Sequence, residues 1–198
     1  MAIVLRDVCA ADFDAVLALN NAAGAGILPI DRQRLGRLFA VARYFRVAEM
    51  DGHLAGFLIG LTPEADYDSP NFHWFRDHFP QFCYIDRVVV AGAYRRHGIG
   101  RVLFADVMSF AELRTPVLTS EVFLKPEDDV SQVFFRTQGF EEAGQLDLDQ
   151  GRRVSLVAKK LVSFEFVREH YLETPHNSAP AQWWHDRLGQ GEVQRMSA

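Results

Sequence analysis

The residues with the clearest chemical use lie in one short stretch, Arg95-Arg96-His97-Gly98-Ile99-Gly100-Arg101. An apolar run, Tyr84 to Val90, precedes it and is rich in the β-branched residues that favour a pleated surface. Ala91-Gly92-Ala93-Tyr94 forms a small-residue turn between them. After it, Val102, Leu103, Val107, Phe110 and Leu113 recur at helical spacing. The order is therefore strand, basic glycine-rich turn, helix. The first turn of a helix carries backbone N–H groups without an intrahelical partner, and their partial positive charge favours an anion. Gly98 and Gly100 keep side chains out of the way, and Arg95, Arg96 and Arg101 offer guanidinium forks that match phosphate oxygens. A diphosphate fits such a turn. Neither the Walker pattern nor GxGxxG is present. The plainer alternative is a tight strand-to-helix turn with solvated arginines.

Arg95-x-x-Gly98-x-Gly100 after a valine-rich strand resembles the acetyl-CoA signature of the GNAT N-acetyltransferase superfamily. The resemblance covers most of residues 1–161 in element order and is sharp at 84–103 and 121–140. It implies that coenzyme A is held by Val88, Val89 and Val90 of the strand and by Arg95, Arg96, His97, Gly98, Ile99, Gly100 and Arg101 of the turn. The backbone N–H groups of Val88 and Val90 would polarise the thioester carbonyl. A second matching region, Pro126-x-Asp128-x-x-Ser131-x-x-Phe134-Phe135, resembles the segment beside the pantetheine arm, which places Asp128, Ser131 and Phe134 among the cofactor contacts. The family usually has Asn where Asp128 stands. It often has a general-acid Tyr where this chain has Phe135, so that role does not carry over.

Acetyl transfer to an amine needs a neutral amine, stabilisation of the developing oxyanion and a departing thiolate. Asp86 stands where the family often has a Glu as base. A free Asp has a pKa of about 3.9, so it would need burial or a water relay to act on an ammonium. The alternative is an ion pair between Asp86 and Arg87. Glu121 is a second base candidate, and Tyr84 or Tyr94 could replace the missing acid. A thiol pKa near 8.5 also makes an unprotonated thiolate a tolerable leaving group. His97 is expected to contact phosphate or be solvated. No histidine pair has ligand spacing with a third donor, so no metal is expected.

The elements that must position these groups follow in order. Ile3–Arg6 reads as a strand and Asp12–Asn20 as an amphipathic helix with Phe13, Val16 and Leu17 on one face. Gly24 and Gly26 stop it, and Asp31 caps a second helix striped by Leu35, Leu38, Phe39 and Ala42. Tyr44–Met50 and His53–Leu61 flank a two-residue Asp51-Gly52 hairpin turn. Residues 62–81 hold Pro63, Pro70 and Pro80, an acidic group, and Asn71-Phe72-His73-Trp74-Phe75. They read as a long connection. It serves either as a lid that brings Phe72, His73 and Trp74 to the acceptor, or as an aromatic plug or dimer contact. Val117–Phe123, a short helix near 128–138, and a hairpin of Phe140–Leu148 with Arg153–Leu161 complete the pattern. The fold class is α/β of mixed (α+β) character: a GNAT-like, mostly antiparallel sheet flanked by helices.

The chain has 198 residues, 48% of them hydrophobic, which suits one domain with a sizeable core plus an extension. The domain is placed at 1–161. The extension at 162–198, with Trp183-Trp184, is expected to pack on the domain or on a partner subunit, and a homodimer is one such arrangement. A net charge of −5 argues against a general nucleic-acid binder. The two cysteines form no framework. No signal-peptide pattern or membrane-length apolar run is present, which makes the cytoplasm the default compartment. Taken with the resemblance, these features imply an N-acetyltransferase that uses acetyl-CoA on a small-molecule amine or a peptide N-terminus. A catalytically silent acyl-CoA-binding regulatory domain is the alternative that Phe135 leaves open. A nucleotide-phosphate binder is a third.

Overall fold

The computed structural model describes residues 2–24 and 26–172. The expectation for Trp183 and Trp184 lies outside the described residues. Seven strands form one sheet: β1 Ile3–Asp7, β2 Tyr44–Met50, β3 His53–Leu61, β4 Cys83–Val90, β5 Val117–Lys125, β6 Glu141–Asp147 and β7 Arg153–Lys160. Their spatial order is β1-β2-β3-β4-β5-β7-β6, and every neighbouring pair except β4–β5 is antiparallel. Asp51 and Gly52, both at positive φ, turn the β2–β3 hairpin as that sequence pair predicts.

Six α-helices among the described residues cover the two faces. Helices α1 (Phe13–Asn21), α2 (Arg32–Val41) and α3 (Pro70–His78) contribute to one core cluster, with Val16, Leu35, Leu38, Phe72 and Phe75 packed on Val47, Phe57, Tyr84 and Val89. Helices α4 (Ile99–Ala111), α5 (Asp129–Thr137) and α6 (Ser163–Val167) contribute to the other, where Leu103, Phe104, Phe135 and Phe164 meet Leu58, Ile85 and Val122. Asp31 caps α2 by accepting the Arg34 N–H at 2.7 Å, as the sequence suggests. The described part of the extension is not separate from the domain, because Phe164 is buried in this second core.

Helix α3 departs from the expectation of a long connection. Pro70 occupies its first turn, where a missing N–H costs nothing. Prolines at 63, 70 and 80 read as loop punctuation, but two of them instead bracket nine helical residues. Asn71, Phe72 and Phe75 then fall on one buried face.

The feature that prepares a site is the divergence of β4 from β5. They pair over only three residues, Cys83 with Leu118 through Ile85 with Ser120. Beyond Ile85, β5 continues against β7 and β4 against β3. The edge of β4 that faces β5 is thus left without a strand partner from Asp86 to Val90, and its backbone groups remain available. A bulge lies at this point: Ile59 pairs with Arg87 but Gly60 pairs with Ile85, so Asp86 is the extra residue.

Candidate active site

The bulge explains the first group of site residues. An extra residue breaks the alternation of side chains, so Asp86 and the adjacent Arg87 meet instead of pointing to opposite faces. Arg87 Nε donates to Asp86 Oδ2 at 2.6 Å, and the Tyr67 hydroxyl donates to Asp86 Oδ1. The Asp86 side chain is only 3% exposed. This carboxylate, the first base candidate in the sequence, is engaged at both oxygens and holds the bulge together. The ion-pair alternative describes its geometry. Arg87 also donates from Nη1 to Asn20 Oδ1 at 2.8 Å, and Asn20 Nδ2 reaches Leu28 O at 3.2 Å. That chain of contacts ties the α1–α2 connection to β4.

Glu121 sits one residue past the last β4–β5 pair, where the strands part. Its Oε2 accepts from the Tyr84 hydroxyl at 2.6 Å. Burial raises its pKa from 4.5 to about 7, and the Asp86 charge adds to the rise. Hydrogen bonds from Tyr84 and Asn71 and the charge of Arg87 oppose it. A carboxyl so poised exchanges a proton near neutral pH, which a free Asp cannot do efficiently. Tyr84 is fully buried, and burial first, then Glu121, pushes its phenol well above the ordinary range. Its proton is committed to Glu121, so its place is that of an orienting partner and not of a free acid.

The turn from Arg95 to Arg101 has the helix-start shape its sequence implies. Gly98 caps the start of α4 at φ 88°, a left-handed conformation in which a Cβ is strained, and the space around that position is open. The first intrahelical bond is Val102 N–H to Gly98 O at 3.0 Å, so the amides of 99–101 carry no helical partner. Arg95, Arg96, His97 and Arg101 are exposed around it. Ile99 is 1% exposed and anchors the turn in the core, so only its backbone can serve a ligand. A Cβ on Gly100 would come 3.2 Å from Phe134 Cζ, which brings α5 against the first turn of α4. Val88 and Val90 are half-buried on the α4 side, while the Val89 side chain points into the opposite core. Asp128 accepts the Ser131 N–H at 3.1 Å and caps α5, so its Oδ1 has a structural task. Phe135, the position of the missing tyrosine, is 4% exposed and packs edge-on with Phe104 and Phe140.

The three expected acceptor contacts do not converge. Phe72 is fully buried, 5.6 Å from Tyr67 and 5.5 Å from Tyr84 between ring centroids, and supports the site from beneath. His73 lies at the surface, 3.9 Å from exposed Asp68. Trp74 stacks on His78 at 3.8 Å and packs against Gly144 of β6. Helical geometry disperses them: three consecutive residues on a helix point in three directions. Of this segment it is Asn71, buried on α3, that acts on Glu121, favouring its ionised form. Sequence reasoning also missed Tyr67, Asn20 and the link from Arg87 to Asn20. Asn20 carried a signal, since it continues the helical spacing of Phe13, Val16 and Leu17 as a polar residue on an apolar stripe. Among the described residues no cluster of three His, Cys, Asp or Glu side chains could hold a metal ion. No helix among them is long and apolar enough to cross a membrane.

A strand pair that parts beside a poised carboxyl lies next to a helix start whose free amides and exposed basic side chains suit an anion. The family model for the acetyltransferase (GNAT) family matches residues 18–140, and the chain belongs to that family of N-acetyltransferases. No curated protein matches it in sequence. Among solved structures it is similar to a ribosomal-protein-alanine N-acetyltransferase from Brucella melitensis, at 26% identity and a TM-score of 0.60. That match covers 80% of this chain and 99% of the other. Ard1 from Thermoplasma volcanium matches with a TM-score of 0.65 at 16% identity, over 81% and 99% of the two chains. Arabidopsis thaliana Naa50, in complex with the bisubstrate analogue CoA-Ac-MVNAL, matches with a TM-score of 0.62 at 14% identity, over 81% and 99%.

Proposed function

We propose that this chain transfers the acetyl group of acetyl-CoA to the α-amino group of a peptide or protein N-terminus, with Glu121 as the general base. The observation that carries the reading is the Glu121 carboxyl, raised to about 7 where β4 and β5 part. An α-amino group titrates at about 7.7–8.0, whereas a lysine-like amine titrates at about 10.4. A base near 7 is well matched to the first and poorly to the second. The name of the Brucella melitensis neighbour and the peptide-bearing analogue bound to Naa50 support the same acceptor class.

The residues present fit the donor. The amides of 99–101 and the exposed arginines around Gly98 would take the diphosphate, and the free edge of β4 at Val88 and Val90 would take the pantetheine amides. When bound, acetyl-CoA supplies an activated thioester. Glu121, ionised above pH 7, accepts the ammonium proton and leaves the amine nucleophilic. Tyr84 keeps that carboxyl in one orientation. The N–H groups along the unpaired edge of β4 are donors for the oxygen on which charge develops. With Phe135 buried in the core, the departing sulfur draws on its own acidity, near 8.5 for an ordinary thiol.

The test is release of free thiol from acetyl-CoA with three sets of acceptors: short peptides with free N-termini, the same peptides N-terminally blocked, and small polyamines. Turnover with free peptides alone supports the reading. Faster turnover with polyamines than with any peptide overturns the acceptor assignment. Absence of both acetyl-CoA binding and thiol release overturns it entirely.

A further inference from the structure

Resting on that reading, we infer that Asn20 is a positioning residue for the acceptor: it accepts from Arg87 and donates to the Leu28 carbonyl, and so holds residues 28–30 and the exposed Leu28 side chain beside the gap between β4 and β5.

Asn20 is fully buried near the end of α1, on the face that Phe13 and Val16 also bury. A leucine would fill that place without burying a polar group, so packing alone does not account for an amide here. Its contacts do. Oδ1 accepts from Arg87 Nη1 at 2.8 Å, and Nδ2 donates to Leu28 O at 3.2 Å. A guanidinium only donates and a carbonyl only accepts, so the two contacts fix which way the amide points. Neither Asp nor Leu can make both. The next residue repeats the grip one step along. Asn21 Nδ2 donates to Ile30 O and Asn21 Oδ1 accepts the Ile30 N–H, both at 3.0 Å. Asn21 Oδ1 also accepts from Asn20 Nδ2 at 2.8 Å, which joins the two amides. Two consecutive residues of α1 thus hold residues 28 and 30 of the returning chain.

Arg87 sets where this clamp lies. The guanidinium that holds Asn20 also holds Asp86 at 2.6 Å and lies 3.5 Å from Leu28 O. Asp86 follows Ile85, the last β4 residue paired with β5, so the clamp ends where the strands part and Glu121 sits. Leu28 is 47% exposed. Its backbone is therefore fixed by a buried amide while its apolar side chain stays open to a ligand. An acceptor that brings its amine to Glu121 meets that side chain on the way in. The contact bears on the acceptor and not on the diphosphate turn, which lies beyond the far end of β4.

The experiment uses the full chain and whichever acceptor of the panel above turns over fastest. Thiol release is measured with both substrates varied, in wild type, Asn20→Asp, Leu28→Ala and the double variant. Asn20→Asp keeps an acceptor for Arg87 and loses the donor to Leu28 O. It should raise the acceptor KM about three- to tenfold, the worth of one hydrogen bond, and leave the acetyl-CoA KM unchanged. Leu28→Ala should raise the same KM, and the double variant should raise it less than the product of the two single effects, because both act through one contact. An unmoved acceptor KM in Leu28→Ala overturns the inference, and this arm stands even where Asn20→Asp does not fold. A lower thermal midpoint in Asn20→Asp with an unmoved acceptor KM, or an equal rise in both KM values, shows a structural role only and also overturns it. In each of these cases wild-type turnover leaves the proposed function standing. Wild type that releases no thiol with any acceptor overturns the proposed function and this inference together.

Discussion

Replacing Glu121 with Gln separates a catalytic carboxyl from a structural one, because the two roles predict opposite changes in stability. Burial and the nearby Asp86 raise the Glu121 pKa from 4.5 to about 7 in the folded protein. The folded state therefore binds a proton that the unfolded chain releases, in the window between those two values. Stability contributed by the protonated carboxyl is fully present below about pH 4.5 and is lost as pH rises through about 7. Each pH unit of that window is worth about 1.4 kcal/mol, so ionising this group costs the fold up to about 3 kcal/mol above pH 7. Gln keeps an acceptor for the Tyr84 hydroxyl and never ionises, so Glu121→Gln should be more stable than wild type at about pH 8 and nearly equal to it at about pH 4.5. Its turnover should fall by about 10²–10⁴. Urea unfolding at the two pH values and thiol-release kinetics measure both effects. A variant that is destabilised at the higher pH, or that keeps the wild-type rate and pH profile, refutes the reasoning.

Three further outcomes follow from the same geometry. Gly100→Asp drives a carboxylate towards Phe134 and into the diphosphate turn, so acetyl-CoA affinity should fall by several kcal/mol, at roughly 1.5–3 kcal/mol per charged hydrogen bond lost. Calorimetry that finds unchanged affinity contradicts it. Tyr67→Phe leaves Asp86 Oδ1 without its hydroxyl donor and should cost about 1.5–3 kcal/mol of stability, read from urea midpoints. Trp74→Ala removes a ring packed on His78 and Gly144, so unfolding free energy should drop by about 2–4 kcal/mol while the acceptor KM of the folded fraction stays unchanged. A raised KM at full stability would restore Trp74 as an acceptor contact.

The sequence by itself determined the parts whose chemistry is local. The turn from Arg95 to Arg101 was legible because a helix start, a left-handed glycine and clustered arginines are all set within seven residues. The β2–β3 hairpin was legible for the same reason, since Asp51-Gly52 encodes its own turn. So was the loss of the usual acid at Phe135, because a phenyl ring has no proton to give wherever it lies. The tertiary structure decided everything that depends on which strands part and which side chains meet across the sheet. Asp86 looked like the base from its position on β4, but the bulge turns it onto Arg87 and onto Tyr67, 19 residues away in sequence. Glu121 read as a second base candidate behind Asp86, and only burial beside Tyr84 and Asp86 raises its carboxyl towards neutrality. Pro70 and its aromatic neighbours read as loop until helix α3 formed under a sheet that could bury Phe72 and Phe75. A pKa and a helix of nine residues have a common physical basis here. Both are set by what packs around them, and packing is a property of contacts between segments far apart in the chain.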